Sequence, residues 1–129
     1  MVLLLKNLQT ARQELKREKE RIASITETLA NCNKITERTN SLEKQRENSI
    51  KKVEALEAIS RQQWHKIEAE LLESEVHPLD IVAIKRHFFE LRSWNEIGCD
   101  HYNNGDVVRK RIERLAKSLV VIPHNIGEL

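Results

Sequence analysis

Residues 93–119 read SWNEIGCDHYNNGDVVRKRIERLAKSL. Ser93 is a helix N-cap residue, and Glu96 three positions later completes a capping box. Trp94 and Ile97 then fall on one face of a short helix, with Gly98 beside them where a second helix can approach closely. Asn103, Asn104, Gly105 and Asp106 have the composition of a turn followed by a new N-cap. Beyond it Val108, Ile112, Leu115 and Leu119 recur at helical spacing and define an inward stripe. The opposite face carries Asp106, Lys110, Glu113 and Lys117, with Arg109 and Arg114 at its margins. Two helices joined by a tight turn, the second with a basic outer face, have the layout of a helix-turn-helix. The second helix of that motif lies in the major groove of DNA.

Outward from this stretch, Pro78 suits the first turn of a supporting helix. Leu79, Val82, Ala83, Arg86 and Phe89 follow at helical spacing, and Ile81, Ile84 and Phe88 widen the apolar face. This helix is expected to pack on Trp94, Ile97, Val108 and Ile112, giving a small three-helix domain. Glu75-Val76-His77-Pro78 ends the helix before it, because the residue preceding a proline is pushed away from helical dihedrals.

The N-terminal half has a different texture. Leu8, Leu15, Ile22 and Leu29 form one seam position of a heptad repeat, and Leu4, Ala11, Glu18, Ile25 and Cys32 the other. Glu18 interrupts the seam and is expected to be solvated at a loosely packed point. Polar and β-branched residues over 31–40 mark a reversal. Asn40 offers a cap, with Glu43 three residues on, for a second helix whose stripe is Leu42, Ser49 or Ile50, Val53, Leu56, Ser60, Trp64, Ile67 and Leu71. An antiparallel hairpin is favoured over one continuous rod, because Asn and Thr cluster where a rod needs strong helix formers.

The fold expected is all-α: a helical hairpin or coiled-coil arm over 1–76, a helix-turn-helix domain over 78–122, and a tail over 123–129. Charged residues make up 33% of the chain and aromatics 4%, too polar a balance for one deep core throughout. Such an arm buries little per residue, so self-association through the N-terminal helices, as a homodimer, is expected.

Within the motif, His87-Phe88-Phe89-Glu90-Leu91-Arg92-Ser93-Trp94-Asn95-Glu96-Ile97-Gly98 resembles the pattern Arg-Tyr-aromatic-Glu-Gly-x-Ser-Trp-x-x-Ile-Ala of sigma-factor region 4-like modules. It is similar in particular to small phage and prophage transcriptional regulators of the RinA/ArpU type. Val108 and Ile112 fall where those proteins place the recognition-helix Val and Leu. The chain departs at Gly98, where the family has Ala, at His101, where it has a core Leu, and at Tyr102, where it has the turn Gly. The resemblance implies a DNA-binding transcriptional regulator with RNA polymerase as a candidate protein partner.

The charge distribution is consistent with that role. The chain as a whole is only +2. Residues 107–122, however, hold Arg109, Lys110, Arg111, Arg114 and Lys117 against Glu113, a local net of +4. A basic stripe on one helix is the electrostatic footprint of a nucleic-acid binder. Arg92, Arg114 and Lys117 are placed for phosphates, and Asn104, Asp106, Arg109, Lys110 and Glu113 for base edges, with Asn104 and Asp106 also natural capping groups. Arg111 faces partly inward and can pair with an acid of the supporting helix.

Chemistry of other kinds finds little footing. Cys99, Asp100 and His101 point in different directions on a helix and lack the further ligands a structural zinc requires. No phosphate-binding glycine loop or nucleophile motif occurs, so neither catalysis, a cofactor nor a small-molecule substrate is expected. The apolar start ends at Lys6, too soon for a signal-peptide core or a membrane span, and the two cysteines suggest no disulfide framework. A cytoplasmic protein is expected. Two other readings stay open: a protein-interaction module that does not bind DNA, and a small-terminase-like component of phage DNA packaging.

Overall fold

The computed structural model describes residues 1–32, 37–100 and 104–120. These form an all-α fold. Helix α1 runs Val2–Ala30 and α2 Glu37–Glu73. Helix α3, Pro78–Ile84, continues into a π-helical turn, Lys85–Phe89. Helices α4, Trp94–Asp100, and α5, Gly105–Ser118, complete the motif. Among the described residues no helix is long and apolar enough to cross a membrane.

The first two helices are an antiparallel hairpin. Arg12 meets Glu57 at 3.5 Å and Glu18 meets Lys52 at 3.9 Å, so partners descend along α2 as α1 ascends. Helix α2 is already helical from Glu37, which puts the exposed Asn40 inside the first turn instead of at the expected cap. Thr39, buried in that same turn, anchors the earlier start. Glu18 is not solvated as expected: its side chain is 12% exposed and lies against Lys52. The inward positions of α1 are Leu5, Leu8, Leu15 and Ile25, with Leu4 and Ala11 only half-buried. The shift from Leu4 to Leu5 has a packing cause, since the first turns of α1 are covered by α5 as well as by α2. On α2 it is Ser49 that turns inward, while Ile50 is 40% exposed.

Glu75, in the left-handed region at φ 57°, closes α2. The Val76 amide donates to the Leu71 carbonyl at 3.0 Å and the Glu75 amide to Leu72 at 3.1 Å. That pair of bonds is a Schellman motif, and Val76 packs on the core beside Leu71 as the motif requires. Helix α3 then opens with Pro78 in its first turn, and the Leu79 amide donates to His77 Nδ1 at 3.1 Å.

One apolar cluster joins the arm to the C-terminal helices. It contains Leu5 and Leu8 of α1, Trp64, Ile67 and Leu71 of α2, and Ala83, Ile84, Ile97, Val108, Ile112 and Ala116. Arg12 is the polar rivet of this junction. Its Nε donates to the Phe89 carbonyl at 2.9 Å, another guanidinium nitrogen donates to Ser60 Oγ at 3.3 Å, and its charge lies 4.0 Å from the Phe89 ring centroid. A half-desolvated cation over an aromatic face contributes about 0.5–2 kcal/mol. Glu57 completes the group. Burial alone would raise its carboxyl pKa, but the bond from Arg61 and the nearby charges of Arg12 and Lys19 hold it below the usual value.

Candidate nucleic-acid interface

Helices α4 and α5 are positioned by the caps that the sequence supplies. Ser93 Oγ accepts from the Glu96 amide at 3.2 Å, and Asn104 Oδ1 accepts from the Asp106 amide at 2.8 Å. Asn104 is thus the N-cap of α5. The close approach between the two helices falls at Gly105. A Cβ built there lies 2.8 Å from the carbonyl carbon and oxygen of Trp94, so only glycine lets the start of α5 abut the start of α4. Gly98 is buried, and the Cys99–Asp100 end of α4 is exposed. His101 and Tyr102, where the chain departs from the sigma-like pattern, and Asn103 of the turn lie outside the described residues.

The chain reaches α4 through the π-helical turn. The Glu90 amide donates to Lys85 at 3.0 Å and the Arg92 amide to Arg86 at 2.9 Å, a progressively wider spiral. Leu91 follows with φ 58°. The widened turn fans out its aromatic residues. Phe89 meets Trp64, while His87 stacks on Trp94 with ring centroids 3.8 Å apart. His87 Nδ1 lies 2.8 Å from the Arg92 carbonyl and must donate to it, which leaves Nε2 as the acceptor for Gln9 at 3.4 Å. Burial lowers the His87 pKa, and the bond to Arg92 only partly opposes this. A neutral imidazole satisfies both contacts.

On α5, Val108, Ile112 and Ala116 are buried, with Leu115 and Leu119 half-buried, as the spacing requires. Asp106, Lys110, Glu113, Arg114 and Lys117 share the exposed face. Arg109 stands at the edge of that face, half-buried and 3.3 Å from Asp106. Arg111 pairs with Asp80 of α3 at 3.1 Å, the acid of the supporting helix that the wheel called for. Arg92 is drawn off the face: it meets Asp100 at 3.3 Å and Glu90 at 3.9 Å, while Arg86 holds the same Asp100 at 2.9 Å. Its charge is therefore largely offset inside the motif. Among the described residues, Lys110, Arg114 and Lys117 are cations of α5 without an ion pair.

The exposed face of α5 has two flanks. Toward α1, a cavity of about 410 Å³ is lined by Leu5, Lys6, Phe88, Trp94, Glu113 and Lys117, among others. Toward α3, Asp80, Val107, Lys110, Arg111 and Arg114 border a shallow groove. Apolar residues stand open on that second side: Leu79 is 58% and Val107 51% exposed. Lys6 and the His87–Trp94 stack were not among the residues expected from sequence at this face. They bear on α5 from other elements, and a wheel drawn for α5 alone carries no signal of them. Gly105, expected in the turn, is instead the first residue of α5. Among the described residues no group of His, Cys, Asp or Glu is arranged to hold a metal ion.

Comparisons with family models, curated proteins and solved structures find no match to this chain.

Proposed function

We propose that this chain binds double-stranded DNA through α5 and acts as a transcriptional regulator of the phage and prophage type. The observation that carries the reading is the open face of α5, where Lys110, Arg114 and Lys117 project beside Asp106 and Glu113 on a helix braced by α3 and α4. Unpaired cations on one face release counterions from phosphates, and the residues between them can reach base edges. The arm leaves that face uncovered. Leu91 adds support: it takes a left-handed backbone where the sigma-like pattern has Gly, the residue that adopts it without strain. Self-association through the arm remains part of the proposal, with exposed Ile50, Ile59 and Leu72 on α2 as its apolar material.

The experiment is duplex binding at two salt concentrations for wild type, Arg109→Ala and Lys117→Ala. Lys117→Ala should weaken all sequences alike and reduce the salt slope by about one, whereas Arg109→Ala should relax sequence preference. A wild-type protein that shifts no duplex even at low salt contradicts the reading. That result would favour the second one, a docking module for a protein partner such as polymerase, for which the exposed Leu79 of α3 and Val107 of α5 are the specific observation.

A further inference from the structure

We propose that the first turns of α1 form a second, backbone-facing element of the DNA surface, with Lys6 as a phosphate contact opposite Lys117. The inference rests on the DNA-binding reading above.

Three observations carry it. The start of α1 is fixed against the end of α5, where the Met1 amino group donates to the Leu119 carbonyl at 3.2 Å and Met1 belongs to the shared core. Lys6 of α1 and Lys117 of α5 line the same cavity, both exposed and neither ion-paired among the described residues. The remaining lining is mainly apolar: Val2, Leu5, Phe88, Trp94, Ile112 and Ala116. A nucleic-acid backbone alternates an anionic phosphate with a largely apolar sugar. Two cations on the rim over an apolar floor match that alternation in charge and in polarity.

Position within the motif points the same way. Base edges meet the N-terminal residues of a recognition helix. Lys117 and Lys6 instead lie at the C-terminal end of α5, where the helix leaves the groove and passes a strand. Among the described residues that line the cavity Glu113 is the one acid, and against it stand two lysines. The arm is then part of the reader, and its first turns cannot be exchanged for another helix without loss of affinity.

The test is fluorescence anisotropy on a labelled random-sequence duplex across a salt series, with full-length wild type, Lys6→Ala, Lys6→Arg and the control Lys16→Ala, an exposed lysine further along α1. Circular dichroism verifies that each variant is folded. Lys6→Ala is expected to lower the slope of log affinity against log salt by about one and to weaken random and preferred duplexes by the same factor. Lys6→Arg keeps the slope, and Lys16→Ala tracks wild type. If wild type binds with a steep salt slope and Lys6→Ala cannot be told from Lys16→Ala, the inference is wrong and the role of α5 stands. If wild type shows no salt-dependent binding, the DNA reading falls and takes this inference with it.

Discussion

At the base of the arm, Leu5, Leu8, Ile67 and Leu71 are each at most 1% exposed and touch helices on more than one side. Toward the tip, among the described residues, α1 and α2 have only each other. There Ile22, Leu29, Leu42 and Val53 are half-buried, and the buried places on α2 go to Ser49 and Thr39. The two regions share a helical repeat and differ in how many neighbours share it. A two-helix ribbon leaves one side of each seam to water, whereas a five-helix junction covers it, so the stability of this molecule is concentrated where the arm meets the motif. The C-terminal motif is not an appendage of the arm; its core includes the arm's base.

The largest difference is expected between leucines truncated in the two regions. Leu8→Ala, at a fully buried site, is expected to cost about 2–5 kcal/mol. Leu29→Ala, half-buried near the tip, should cost about 1 kcal/mol or less. Denaturant unfolding of both variants measures the difference, and equal losses would mean that the tip is as well packed as the base.

A smaller effect of unusual sign is expected within the base. A glycine replaced by alanine in a helix normally gains about 0.5–1 kcal/mol. Gly105→Ala should instead lose about 1–3 kcal/mol, because the added methyl meets the Trp94 backbone at 2.8 Å and α5 must move off α4. Thermal melts report the loss. A stabilised Gly105→Ala protein would show that the two helices do not abut there.

The smallest effect is the response to acid. His87 lies in the base with a lowered pKa, and the sequence places no histidine between Glu18 and Val53. The folded state therefore takes up its proton less readily than the unfolded chain. Stability that is full above the ordinary histidine pKa of about 6.5 should decline as pH falls through that value. Unfolding midpoints between pH 7.5 and 5.5 should drop in wild type and flatten in His87→Phe. An unchanged slope in the variant would remove His87 as the cause.

Much of this architecture was legible from residue spacing. The heptad seam foretold a helical pair, Ser93 and Asn104 read as caps and act as caps, and Pro78 marked the start of α3. Arg111 was expected to lean inward and pair with an acid of the supporting helix; the pair with Asp80 forms, but the side chain stays 64% exposed. What periodicity does not carry is the identity of the neighbour across a gap. Leu5 displaces Leu4 because a second helix covers its side of α1, and Glu18 is sheltered because Lys52 happens to lie opposite. Arg12 reads as one more surface cation on a charged helix. Its place over Phe89 depends on a π-helical turn some 77 residues away that no local pattern announces. At the candidate interface the same limit applies. The stripe on α5 could be drawn from the sequence, but the acids that occupy Arg92 and the packing that brings Lys6 beside α5 could not.

If the open face of α5 meets a duplex, as proposed, amide hydrogen exchange of the full chain with and without a saturating duplex at low salt will register it. Added protection over 104–118 and the first turns of α1, with residues 18–53 unchanged, is the predicted result. Protection confined to the tip of the arm, with α5 exchanging as in the free protein, would contradict it.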